Sequence, residues 1–232
     1  MKQLALDIGL ATGPSLGNYF AGANEAALQH LRLWVGQGSQ QATRAPVPTY
    51  LWGEAGSGKS HLLKAVASAL REQGASVGWL DPSVHARPEF DERWAAVLLD
   101  DVHLYSTAQQ ALAFNWFVNA TSPGSGAPRW VLAAGSVPPA DLPLRDDLRT
   151  RLGWGHVFQL QVPNEDECRR ILQNEAAARG VTYSADVLDY MLKRFSRDLS
   201  SLMQLLDMLD EFALRNKRAI TIPLLKTMLE TM

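Results

Sequence analysis

Cysteine is almost missing from this chain of 232 residues: Cys168 stands alone. No intrachain disulfide can form, and a cytosolic setting is the simplest reading. Long apolar runs are missing too. None approaches the roughly 20 residues that cross a bilayer, and Lys2 is not followed by the apolar core and cleavage site of a secretion signal. Neither sign of charge dominates: 22 Lys and Arg stand against 24 Asp and Glu, for a formal net charge of −2. That balance excludes a global attraction to nucleic acid or to an anionic membrane, while leaving room for a local basic patch. There is no internal repeat and no low-complexity tract. His61, His85, His103 and His156 do not cluster with Cys168 at metal-ligand spacing, and no nucleophile–base arrangement is legible.

What is present centres on Gly53-Glu54-Ala55-Gly56-Ser57-Gly58-Lys59-Ser60. The stretch fits G-x-x-x-x-G-K-[ST], the phosphate-binding P-loop. The glycines let the backbone turn so that its N–H groups point inward at phosphate oxygens. Lys59 brings positive charge to the β/γ-phosphates, and Ser60 offers a hydroxyl to Mg²⁺. Such a loop needs a strand before it and a helix after it. Thr49 to Trp52 supplies the one, and Leu62, Leu63, Val66 and Leu70 recur at the spacing of the other. The helix N-terminus adds partial positive charge at the phosphate.

The same alternation continues. Ser76–Leu80, Trp94–Leu99, Trp130–Ala134 and His156–Leu160 read as further strands, and Ala26–Trp34 and Thr107–Asn119 as helices, the first with Asn24 as its N-cap candidate. Trp52, Trp94, Trp116 and Trp130 read as core packing. Gly74 suits a helix C-terminus. The expectation is an α/β fold, a five-stranded parallel sheet flanked by helices, spanning residues 16–161. After Pro163 only helical patterns remain, over Glu165–Arg179, Ala185–Phe195 and Asp198–Arg215, with a short last helix capped by Thr221. Residues 162–232 therefore form a small all-helical domain. Residues 1–15 form an arm in which Leu4, Leu6 and Ile8 share one side of an extended segment. An edge strand, a loose tail and a peptide that docks on a partner all remain open for it.

Asp100 and Asp101 end a buried strand downstream of the P-loop, where parallel sheets place their ligand sites. Asp100 is the candidate Mg²⁺ ligand, with Ser60; Asp101 could orient or deprotonate an attacking water. A solvated acidic pair opening a loop is the plainer alternative. Arg149 and Arg151 are either surface ion-pair residues or an arginine finger acting on a neighbour's phosphate. Arg197, at the start of a helix, is either a solvated end residue or a phosphate partner.

Together, the P-loop, Leu98-Leu99-Asp100-Asp101, Arg151-Leu152-Gly153-Trp154-Gly155 and the helical segment with Arg197 resemble the AAA+ family of the bacterial replication initiator DnaA. Within that family they resemble the Hda group, regulatory inactivators of DnaA, over nearly the whole chain. The resemblance implies an AAA+ domain with a helical lid. Gly53 to Ser60, with His61 and Arg197, would bind ADP or ATP; Ser60 and Asp100 would hold Mg²⁺; Arg151 would be an arginine finger acting in trans, and Arg197 the sensor-2 arginine. Gln3, Leu4, Leu6 and Ile8 resemble the motif by which Hda docks on the DNA polymerase sliding clamp (its beta subunit). Phe20-Ala21-Gly22-Ala23-Asn24 is similar to the segment beside the adenine.

The implied partners are DnaA and the clamp, the implied place the cytoplasm at the nucleoid or replisome. Self-association stays open, and no membrane is involved. Ending at Met232, the chain is expected to lack the DNA-binding domain that follows the lid in DnaA, so sequence-specific DNA binding is not expected. Two departures stand out. The strand ending Ala133-Ala134-Gly135 lacks the polar sensor-1 residue, unless Ser136 serves, and the second acid is Asp101 rather than glutamate. Both point away from vigorous self-hydrolysis. A self-hydrolysing AAA+ ATPase or loader, and a non-catalytic adaptor that nucleotide merely stabilises, are the rival readings.

Overall fold

The computed structural model describes residues 13–36, 47–85, 88–124, 126–181, 183–195 and 199–231. They fall into two compact units, Gly13–Val162 and Pro163 onward. In the first, helix α1 (Glu25–Val35) precedes strand β1 (Thr49–Trp52), helix α2 (Lys59–Glu72), β2 (Ser76–Leu80), β3 (Trp94–Leu99), α3 (Thr107–Thr121), β4 (Trp130–Gly135), α4 (Asp146–Leu152) and β5 (His156–Gln159). All pairings among the strands are parallel, in the order β2-β3-β4-β1-β5.

The apolar strands make sense in this sheet because both of its faces are covered. Side chains alternate between two cores. Leu51, Ala96, Leu98, Trp130, Leu132 and Ala134 face α1 and α2. Tyr50, Val97, Leu99, Val131 and Ala133 face α3 and α4. Trp116 and Trp130 are almost fully buried, and Trp94 packs edge-on against Trp116 with centroids 4.6 Å apart. Because the strands run parallel, the ends of β1, β3 and β4 emerge together on one edge of the sheet. The P-loop, Asp100 and Gly135 follow or close these strands.

Two elements differ from the sequence reading. Asn24 precedes α1, but its side chain makes no capping bond; it reaches instead to the backbone of Gln161, accepting from that N–H at 2.7 Å and donating to that carbonyl at 3.0 Å. Long-range pairing has overridden the local cap. The helix α4 was not expected. It is short, but it carries Asp146 and Asp147 in its first turn and Arg149 and Arg151 in its last, as a helix dipole favours. Leu144, Leu148 and Leu152, four apart, are all buried.

In the second unit α5 (Glu165–Ala178), α6 (Ala185–Arg194), α7 (Leu199–Asn216) and α8 (Ile222–Glu230) surround a core of their own. Asn164 and Glu167 form a reciprocal capping box at α5, and Thr221 caps α8 by accepting from the Leu224 N–H. Arg179 ties α5 to α7 through Asp207 at 2.6 Å and Asp210 at 3.6 Å, and the Tyr183 hydroxyl donates to Asp210 at 2.6 Å. Burial, reinforced by that carboxylate, pushes the Tyr183 phenol well above its ordinary range.

Candidate functional site

The P-loop turns between β1 and α2 with Gly56 and Gly58 in the left-handed region, at φ 82° and 89°. Gly58 is doubly constrained, because a Cβ there would also lie 2.6 Å from the Tyr19 ring. Lys59 opens α2 and is 7% exposed. Its ammonium donates to the carbonyls of Gly53 and Glu54, each at 2.8 Å. Burial lowers its pKa, and Asp101 and Asp100 oppose that shift. Lys59 is thus held against the loop that a phosphate would occupy, at the positive end of a helix.

Ser60 follows, and its hydroxyl lies near enough to the Asp100 carboxylate to lower that group's pKa. Asp100 is 5% exposed. Burial is the main cause that raises its pKa, Asp101 adds to it, and the Ser60 hydroxyl works against it. A buried carboxylate beside a second acid and a serine hydroxyl is a set of oxygen donors suited to a hard divalent cation. Asp101 has φ 48°, unusual for a residue with a Cβ. Asp tolerates this conformation better than most, at a cost on the order of 1 kcal/mol. The turn re-aims the chain just after the buried acid. Among the described residues no group of three His, Cys, Asp or Glu is placed to hold a metal unaided.

The segment before α1 covers the loop, which the sequence did not reveal. The Tyr19 hydroxyl donates to the Ser57 carbonyl at 3.1 Å and accepts from Asn24 at 2.9 Å. Burial drives its pKa up to about 12. His61 sits beneath this segment, with Nε2 3.1 Å from Asn18 Oδ1 and 3.2 Å from the Ser15 carbonyl. Its ring is tilted against Tyr19 at 5.6 Å. His61 therefore anchors residues 15–19 against the helix that follows the P-loop. The only advance hint was the adjacency of Tyr19 to the Phe20–Asn24 stretch.

On α4 the arginines differ. Arg145, just before it, pairs with Asp147 at 2.7 Å, and Arg149 with Asp146 at 2.6 Å. Among the described residues no carboxylate pairs with Arg151. Its guanidinium rests over the rings of Phe114 and Phe117 of α3, 5.2 and 6.0 Å from their centroids. Trp154, three residues on, is 71% exposed. The clamp-motif residues Gln3, Leu4, Leu6 and Ile8, and Arg197, lie outside the described residues.

Residues 165–229 match the family model for the lid domain of Hda. The solved domain III of the replication initiation protein DnaA from Thermotoga maritima superimposes with a TM-score of 0.73 at 18% identity, over 94% of this chain and 95% of that one. The chain thus carries, over residues 165–229, a segment matching the Hda lid domain, and it shares the fold of DnaA domain III. AMPPCP-bound DnaA from Aquifex aeolicus shares the fold, with a TM-score of 0.63 and 18% identity over 85% of this chain and 65% of that one. So does a mutant of the T. maritima protein RuvB, at 0.66 and 16% identity over 94% and 72%. The chain has the five-stranded parallel sheet flanked by helices and the C-terminal helical unit expected from its sequence, and no helix among its described residues is long and apolar enough to cross a membrane.

Proposed function

We propose that the protein binds ADP or ATP with Mg²⁺ at its P-loop, docks on the sliding clamp through Gln3, Leu4, Leu6 and Ile8, and stimulates ATP hydrolysis by DnaA, so that initiation of chromosome replication does not repeat. The observation that carries this reading is the contrast on α4. Arg145 and Arg149 are each held by a neighbouring aspartate, whereas Arg151, with no carboxylate partner among the described residues, rests on the rings of Phe114 and Phe117. A guanidinium held in this way can move onto a partner's phosphate without first breaking an ion pair.

Gly53 to Gly58 would wrap the phosphates with backbone N–H groups, and Lys59 would release the loop carbonyls to meet them. Ser60 and Asp100 would hold Mg²⁺, which when bound offsets phosphate charge. Asp101 would orient a water, and Arg197 from the lid would reach the nucleotide as a sensor. His61 supports the nucleotide indirectly, by fixing the segment that carries Tyr19 over Gly58. Support for the nucleotide also comes from the related fold of Aquifex aeolicus DnaA, which holds AMPPCP. In DnaA's own site, Arg151 would stabilise charge on the transferring phosphate, a contribution of about 10³–10⁵ in rate for fingers of this kind.

The test is ATP turnover by DnaA on clamp-loaded DNA, with and without this protein. Stimulation is expected, and a variant with Leu4→Ala and Leu6→Ala should lose it while still binding nucleotide. Turnover by the purified protein alone, abolished by Lys59→Ala and with no effect on DnaA, would instead make it an ATPase in its own right.

A further inference from the structure

Six of the seven tryptophans are buried or half-buried, and Trp154 alone is exposed, at 71%. Among the described residues no aromatic ring or cation packs on its indole, and no hydrogen bond reaches the indole nitrogen. The turn it occupies makes no use of the side chain but holds the residue still. The Trp154 N–H donates to the Arg151 carbonyl at 3.2 Å, at the end of α4. Two residues later the His156 N–H donates to the Pro48 carbonyl at 2.9 Å, at the start of β5. Gly155, between them, passes so close that a Cβ on it would fall 1.9 Å from the Pro48 oxygen. Backbone fixed at both ends in this way presents the indole at one place on the surface.

A single exposed apolar residue would need no explanation, but Trp154 has apolar company. Gly153 and Val157, on either side of it in the chain, line a hollow of about 430 Å³ with Pro138, Pro139 and Ala140, and Val157 is itself 39% exposed. Tryptophan is among the residues that most often dominate the energy of a protein interface, because it buries a large rigid area. What covers it follows from its neighbour. Trp154 and Arg151 are carried on one hydrogen-bonded turn, three residues apart, so a protein near enough to receive the Arg151 guanidinium also meets the indole.

We infer that Trp154 is the apolar anchor of the contact with the ATP-bearing partner, burying its indole against the same protein whose phosphate Arg151 reaches. The inference rests on the reading of Arg151 proposed above, and it divides the work between two side chains of one turn. Arg151 supplies charge to the reacting phosphate and sets the rate. Trp154 supplies buried apolar area and sets how tightly the partner is held while that happens.

The experiment is ATP hydrolysis by DnaA on clamp-loaded DNA, titrated with the full chain and with Trp154→Ala, Trp154→Phe and Arg151→Ala, each checked by its thermal unfolding. Trp154→Ala should unfold with the wild type and reach the same rate at saturation, but at a half-maximal concentration about 30-fold higher, the scale of losing one dominant interface residue. Trp154→Phe, which keeps an aromatic ring, should recover part of that loss. Arg151→Ala should show the converse, a lost rate at saturation. In protein labelled with 5-fluorotryptophan, the Trp154 ¹⁹F resonance, assigned by its absence from Trp154→Phe, should shift or broaden on adding ATP-bound DnaA and not on adding ATP alone. An unchanged half-maximal concentration, a fall in unfolding temperature that accounts for the loss, or a resonance that moves with the protein's own concentration, marking self-association, would overturn the assignment and leave the reading of Arg151 intact. No stimulation by the wild type and no shift with DnaA would overturn both.

Discussion

At the P-loop, the buried charged groups are engaged by their own surroundings. Lys59 rests on two loop carbonyls, and Asp100 accepts a hydrogen bond from the Asp101 N–H. At α4, Arg145 just before the helix and Arg149 within it are tied to aspartates, while Arg151 lies on Phe114 and Phe117 with no carboxylate among the described residues. Both regions belong to the same α/β unit, yet their charges are managed in opposite ways. A buried lysine held on carbonyls that a ligand can replace belongs to an internal site. An arginine resting on aromatic rings keeps its full hydrogen-bonding capacity for another molecule. The difference teaches that one unit can hold one cation inward on its own backbone and present another outward on aromatic rings.

The comparison can be broken first at the P-loop. Lys59→Ala should reduce affinity for ADP and for AMPPCP by about 100-fold or more, because several charge-assisted hydrogen bonds are lost together. Titration with a fluorescent adenine nucleotide measures this directly. Unchanged affinity would make Lys59 a purely structural cation and remove the contrast with Arg151.

Next in size is Gly58→Ala. The φ of 89° and the 2.6 Å approach of Tyr19 both oppose a methyl group. Stability should fall by about 2 kcal/mol, read by denaturant unfolding. A drop of that size with Tyr19→Leu already in place would show that backbone strain, and not the ring, is responsible.

Much of this architecture was readable beforehand because both faces of the sheet are buried. Continuous apolar runs such as Val97 to Leu99 mark central parallel strands by composition alone. The P-loop was legible because phosphate binding demands fixed residue types at fixed spacing. Asn24 misled because its role is set by Gln161, far away in the chain. The short helix α4 was hidden by its length, although its Leu144, Leu148 and Leu152 spacing and its charge order were available signals. Tyr19 over Gly58, and the rings beneath Arg151, depend on tertiary packing that no local pattern encodes.

Asp100→Asn sharpens the internal side of the comparison through stability. Burial raises the folded pKa of Asp100 above the ordinary carboxylate value of 3.8, so the folded chain binds that proton more tightly than the unfolded chain. The stability this group contributes is present below that ordinary value and is lost as pH rises through the raised one. The variant should therefore gain on the wild type as pH increases, unfolding about 2–4 °C higher at neutral pH for a gain near 1 kcal/mol. Its Mg²⁺-dependent nucleotide binding should weaken at the same time. Equal melting temperatures at acid and neutral pH would contradict the cost assigned to the buried charge. The smallest effect belongs to Arg149→Ala. Its partner Asp146 has an 87% exposed side chain, so stability should change by less than about 1 kcal/mol, as chemical denaturation would show.

The central claim, that Arg151 is the charge reserved for another protein's phosphate, rests on one measurement above the rest. It is ATP hydrolysis by DnaA on clamp-loaded DNA in the presence of wild type, Arg149→Ala or Arg151→Ala, with nucleotide binding by each variant measured alongside. The account predicts that Arg149→Ala stimulates like the wild type. Arg151→Ala should bind nucleotide normally yet lose about 10³-fold or more of the rate a finger supplies. Full stimulation by Arg151→Ala would contradict it.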